Sequence, residues 1–212
     1  MGIIKRKMRT IEPEFVKVVL NASREAFLDF IENKDCFVGL PSRNDTSTTF
    51  SVNSRITTKE FDEASYRIFL AGLKFVKDKD IIMKITERIG QKIFAYFTKH
   101  DKFLLTGNPN DIKSWQSDLE KLVKCLIHIG YLEDGKIIWK GDEEFLYQMK
   151  DPVILLSATK LFNKYGIAQH YSSRTIETLF STYRIKAREN PDFNPNKYSK
   201  DLVIEHWTIA KF

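Results

Sequence analysis

Apolar residues recur at helical spacing along most of this chain, and that pattern is the first guide to its structure. Phe15, Val19, Ala22, Ala26 and Phe30, with Val16, Leu20, Phe27 and Ile31, form one stripe. Pro13 opens it, where its missing N–H is harmless, and Glu12 and Glu14 suit the positive end of the helix dipole. Thr57 or Thr58 caps a second helix running to about Lys77, with Phe61, Ala64, Ile68, Phe69, Leu73 and Val76 inward. Ile82, Ile85, Ile89, Ile93 and Phe97 define a third, to about Lys99. A fourth, over 112–129, follows the cap residue Asp111, buries Trp115, Leu119, Leu122, Leu126 and Ile129, and stops at Gly130. Further helices are expected over 142–149, 152–165 and 172–188.

Strand signals are sparse by comparison. Thr49 to Val52 alternate beside the turn residues Pro41 to Asp45, which reads as a loop or small hairpin. Tyr131 to Glu133 and Lys136 to Trp139 flank Asp134-Gly135, a dipeptide suited to a type I′ hairpin turn. Residues after Asn190-Pro191 and Asn194-Pro195 read as a tail ending in Trp207 to Phe212. The expected fold class is therefore mainly α, bundle-like, with one or two small β-hairpins. The breaker cluster Thr106 to Asn110 divides it into helical subdomains 1–107 and 108–212.

Composition narrows the classes. The chain has 212 residues, 42% hydrophobic and 29% charged, which fits a packed domain and not a disordered segment. No apolar run approaches the roughly 18 residues of a membrane span, and the basic start lacks the apolar stretch of a secretory signal. Cys36 and Cys125 stand far apart without a Cys-x-x-Cys pair, so reduced thiols in a cytoplasmic setting are expected. Lys outnumbers Arg 24 to 10, and Ile, Phe and Asn are plentiful, the residue set of AT-rich codons and so of a phage or mobile element.

Net charge is +6 and unevenly spread. Residues 1–110 hold 19 basic and 14 acidic side chains (+5), 111–150 hold 6 and 8 (−2), and 151–212 hold 9 and 6 (+3). The excess gathers in an amino-terminal arm, Lys5, Arg6, Lys7 and Arg9, and in a carboxy-terminal helix bearing Arg174, Arg184, Lys186 and Arg188. Arginine is the side chain best matched to phosphate and guanine edges, so DNA is the partner these eight residues suggest.

Two segments resemble DNA-reading motifs. Ser114-Trp115-Gln116-Ser117 through Leu126, ending His128-Ile129-Gly130 before the Asp-Gly turn, resembles the third helix and wing of winged helix-turn-helix proteins over about 28 residues. That resemblance implies that Gln116, Ser117, Lys121 and Lys124 face DNA and that Lys136 or Lys140 lies at the wing. Leu155 to Tyr165, Gly166 and the helix opening Ser172-Ser173-Arg174 resemble a helix-turn-helix, with a turn longer than usual.

Catalytic patterns are weaker. Gly130 to Lys136 has the spacing of a phosphate-binding loop, but Ile137 replaces the metal-ligating hydroxyl and the loop follows a helix. Asp134-Gly135-Lys136 matches half of a metal-dependent nuclease core, whose partner acid would have to come from an earlier strand, whereas a helix bearing Asp118 and Glu120 lies upstream. His100, His128, His170 and His206 show no ligand spacing, and no nucleophile-elbow, zincin or dinucleotide motif is present. The sequence thus favours a non-catalytic DNA-binding protein with no cofactor and no bound metal. A protein-interaction or assembly factor, using some of the 16 Phe and 8 Tyr at an interface, is the alternative, and a metal-dependent nuclease the third reading.

Overall fold

The computed structural model describes residues 9–31, 56–99, 105, 108, 111–167, 169–189 and 202–211. The strand or hairpin expected at 49–52 lies outside them, as do Lys5, Arg6 and Lys7. In chain order the elements are β1 (Thr10–Ile11), α1 (Pro13–Leu28), β2 (Ile56–Thr57), α2 (Thr58–Leu73), α3 (Lys79–Lys99) and α4 (Ile112–His128), then β3 (Asp134–Trp139), β4 (Glu144–Lys150), α5 (Leu155–Tyr165), α6 (Tyr171–Thr182), β5 (Ile185–Glu189) and β6 (Leu202–Lys211).

The first four helices follow their sequence signals closely. Pro13 stands at the start of α1, and Thr57 caps α2 in a reciprocal capping box with Glu60. Asp111 caps α4 through the Lys113 amide, 3.1 Å away. Gly130, at φ 84, closes α4: the Tyr131 amide bonds the Leu126 carbonyl and the Gly130 amide bonds that of Ile127, a Schellman ending that needs the left-handed residue glycine provides.

The expected mainly α, bundle-like class is overturned. The molecule is mixed α/β: alongside six helices it has a two-stranded sheet, β1-β2, and a four-stranded antiparallel sheet in the order β3-β4-β6-β5. Three segments account for the difference. Residues 142–149, expected as a helix, contribute β4, where Phe145, Tyr147 and Met149 alternate inward. The 172–188 helix ends at Thr182, and Arg184, at φ 57, turns the chain into β5. The tail is β6, a ten-residue central strand hydrogen-bonded on both sides.

The hairpin is also displaced. Asp134 and Gly135 lie within β3, opposite Lys150 and Met149, and the chain reverses between Lys140 and Glu144 with Gly141 at φ 131. The winged-helix and helix-turn-helix mappings shift accordingly: the hairpin after α4 turns between Lys140 and Glu144 and not at Asp134-Gly135, and α6 ends at Thr182, so Arg184, Lys186 and Arg188 lie beyond the second motif's last helix.

One buried cluster runs from Ile11 to Ile209. Phe15 is its centre among the helices, with ring centroids 5.9 Å from Phe97 and Tyr131. Beneath the sheet, Trp115 and Phe180 pack at 5.5 Å, and Phe145 stacks on Trp207 at 5.6 Å. α4 and α6 cover this inner face, and α3 packs on α6. Among the described residues the other sheet face is open at Lys136, Lys140, Glu144, Lys186, Arg188, His206 and Thr208, which are exposed.

The α3–α6 approach depends on Gly90. A Cβ there would lie 2.5 Å from Arg174 Cβ and 2.7 Å from the Arg174 carbonyl oxygen, and backbone cannot yield as a flexible side chain tip does. Gly90→Ala is expected to destabilise the fold by about 1–3 kcal/mol, because overpacking outweighs the roughly 1 kcal/mol of helix propensity gained. Urea unfolding measures it, and a variant as stable as the parent would contradict this packing.

Candidate functional site

α6 begins against the sheet, and its first turn carries the unusual chemistry. Its N-cap is His170, with Ser172, Ser173 and Arg174 following. Across from that turn stands Glu205 on β6. The alternation Val203, Glu205, Trp207, Ile209 points all four inward, so a carboxylate occupies a position where the pattern calls for an apolar side chain. Glu205 is only 2% exposed.

It is well supplied with donors. Ser173 Oγ donates to Glu205 Oε1 at 2.6 Å and Trp207 Nε1 to Oε2 at 3.1 Å, while His170 Nδ1 lies 3.3 Å from Oε1. The positive end of the α6 dipole adds to this stabilisation.

Glu189, at the end of β5, brings a second carboxylate: its Oε2 is 3.9 Å from the same His170 Nδ1. Ligand atoms of His170, Glu189 and Glu205 all lie within 4.8 Å of one another. Burial, and then the Glu205 charge, push the Glu189 carboxyl well above its ordinary range, against the opposing pull of His170 and Arg174. For His170 burial acts downward, but Glu189 and Glu205 outweigh it and hold the imidazole above its usual value. Both shifts have one meaning: the group resists bare negative charge.

Arg174 is close but committed elsewhere. Its Nη1 bonds both oxygens of Glu177 at 2.6 Å, one turn along the same helix. The group opens on a cleft of about 860 Å³ between α3, α6 and β5, lined by Glu87, Gln91, His170, Arg174, Glu177 and Glu189 among others. A histidine flanked by acids at the foot of a cleft can hold a proton or a cation.

No family model, curated protein or solved structure matches this chain. The residues themselves must carry the functional reading.

The structure sorts the residues singled out by sequence into three groups. Arg9 and Arg174 are turned inward: Arg9 Nη2 donates to the Asp151 carbonyl at 2.5 Å and lies 3.4 Å from its carboxylate, and Arg174 serves Glu177. Arg184, Lys186 and Arg188 are exposed, the last two on the open side of β5, and Lys136 is exposed on the same side of β3. Gln116, Ser117, Lys121 and Lys124 stay on α4, with Lys121 Nζ 2.8 Å from the fully buried Asp118. Asp118 also accepts from Tyr183 Oη, while Asp134 and Lys136 lie on β3 with exposed side chains.

The His170–Glu189–Glu205 group escaped sequence reasoning because its members sit on a helix cap, an edge strand and a central strand. One signal was present: Glu205 interrupts an otherwise apolar alternation.

Ser173→Ala is expected to cost about 1–2.5 kcal/mol, since a hydrogen bond to a charged acceptor contributes about 1.5–3 kcal/mol and alanine returns less than about 0.7 kcal/mol of helix propensity. In a Glu205→Gln background the same replacement costs less. A double-mutant cycle by urea unfolding measures the coupling, and additive effects would show that Ser173 does not serve Glu205.

Proposed function

We propose that this chain is a DNA-binding protein that seats phosphates on the open face of its four-stranded sheet. The observation that supports this most is the register. Across the strands it aligns Lys140, Glu144, Thr208 and Arg188 in one row, Ile138, Leu146 and His206 in the next, then Lys136, Gln148 and Ile204, and finally Asp134, Lys150 and Leu202, with Lys186 beside Ala210. Basic side chains thus stand on both edges of the face, Lys136 on β3 with Lys140 just after it and Lys186 and Arg188 on β5, with a mixture of apolar and polar residues on the two strands between. Lys136, Lys140, Lys186 and Arg188 are exposed.

Some of this charge is offset within the protein. Lys150 Nζ lies 3.1 Å from Glu133, and His206 Nε2 lies 3.6 Å from Glu144. Lys136, Lys140, Lys186 and Arg188 remain the phosphate candidates, joined by Arg184 just before β5.

Dimensions agree with a duplex. β3 and β5 are three strand spacings apart, about 14 Å, comparable to the roughly 12 Å width of a major groove. Basic side chains at the two edges therefore reach phosphates on either side of a groove. The described positions of this face carry no Phe, Tyr or Trp, so the stacking platform of single-strand binders is missing. Recognition through phosphates alone is strongly salt-dependent and weakly sequence-selective.

Fluorescence anisotropy with a labelled duplex between 50 and 200 mM NaCl tests the reading. Affinity is expected to fall steeply with salt. Replacing Lys186 and Arg188 by Ala weakens binding at every sequence and lowers the salt slope by about 2, near 0.9 for each phosphate that is no longer neutralised. Salt-independent binding, or an affinity unchanged in the double variant, would rule this face out.

A further inference from the structure

We infer that His170, Glu189 and Glu205 form a binding site for a divalent cation of the zinc and manganese class, reached through the cleft between α3, α6 and β5. Three ligand types that such ions accept, one imidazole nitrogen and two carboxylate oxygens, come from three separate elements and converge within 4.8 Å. The convergence is not a surface accident: His170 and Glu205 are 7% and 2% exposed, and the Glu189 side chain 11%.

A second observation is independent of that clustering. Glu189 Oε1 is shielded from solvent, and among the described residues no hydrogen-bond donor reaches it. A buried carboxylate oxygen without a partner is costly, and structures normally satisfy it with a donor, a water or an ion. The adjacent cation does not fill this role: Arg174 Nη1 bonds both oxygens of Glu177, and its Nε, like Glu189 Oε1, has no hydrogen-bond partner among the described residues. Glu205 differs: Ser173 and Trp207 orient its two oxygens, as the supporting donors of ligating carboxylates do.

Access fits as well. His170 and Glu189 line the cleft, while Glu205 sits behind them on the central strand. An ion entering there meets Glu189 and His170 first and is drawn against Glu205, tying β5 to β6 and to the start of α6. The ligand side chains of this site are on the inner side of the sheet and ion binding there does not rest on DNA binding to the outer one, although Lys186 and Arg188 also line the cleft.

The test uses the full chain, stripped with a chelator, dialysed and titrated with ZnCl₂ and separately with MnCl₂ by calorimetry, with thermal melts in parallel. One equivalent of at least one ion is expected to bind and to raise the melting temperature. Glu189→Gln keeps the side chain's shape, so it leaves the metal-free fold intact by circular dichroism while weakening the ion at least tenfold. His206→Ala, which removes the exposed imidazole beside Glu144 on the opposite face, leaves binding unchanged. The inference is overturned if neither ion binds at millimolar concentration, if Glu189→Gln binds as the parent does, or if His206→Ala is the variant that loses the ion.

Discussion

The register of β6 between β4 and β5 is the constraint on which the rest of this structure depends. Side chains alternate across a strand, so once β6 pairs Glu205 with Tyr147 and Thr208 with Arg188, every residue of β5 and β6 is assigned to one face. The inward set is Val203, Glu205, Trp207 and Ile209 with Ile185, Ala187 and Glu189; Lys186, Arg188, His206 and Thr208 face out. A slip of one residue would bury the basic side chains and expose the indole. On β5 and β6 the acids Glu189 and Glu205 thereby face the helices, while Lys186, Arg188 and His206 face solvent.

Glu205 makes that arrangement tolerable. A lone buried carboxylate would be strongly destabilising, but this one accepts from Ser173 and Trp207 and lies beside the first turn of α6. The same contacts fix where α6 starts, and Gly90 lets α3 close against it. Glu189 is the exception. It arrives at the same place from the edge strand, and among the described residues no donor reaches its Oε1. The outward Lys186 and Arg188 and the inward Glu189 and Glu205 are thus two consequences of one strand pairing.

The helical half of the fold was legible in the sequence because each signal was local. Pro13, the Thr57–Glu60 capping box, Asp111 and Gly130 act within a turn of their own helices, and the stripes between them repeat often enough to be read. The sheet was not, for the opposite reason. β4 and β5 are short, β6 carries a charge at an inward position, and their partners lie up to about 60 residues away, so pairing decides what local preference leaves open. Asp134-Gly135 shows the limit plainly: a strong turn dipeptide was absorbed into β3 because Phe145, Tyr147 and Met149 pair best when the reversal comes later, at Gly141. Among basic residues, charge counting singled out Arg184, Lys186 and Arg188, and the winged-helix resemblance Lys136, all of which are exposed. It could not separate them from Arg9 and Arg174, whose acidic partners Asp151 and Glu177 decide their orientation.

The division of the sheet into an outer face that meets DNA and an inner face that does not is the central claim, and amide chemical-shift mapping addresses it most directly. A ¹⁵N-labelled sample titrated with a short duplex at low salt should show perturbations concentrated in 134–150, 184–189 and 202–211, with α1, α2 and α3 unmoved. Perturbations centred on those helices, or none at concentrations where the duplex binds, would contradict the account.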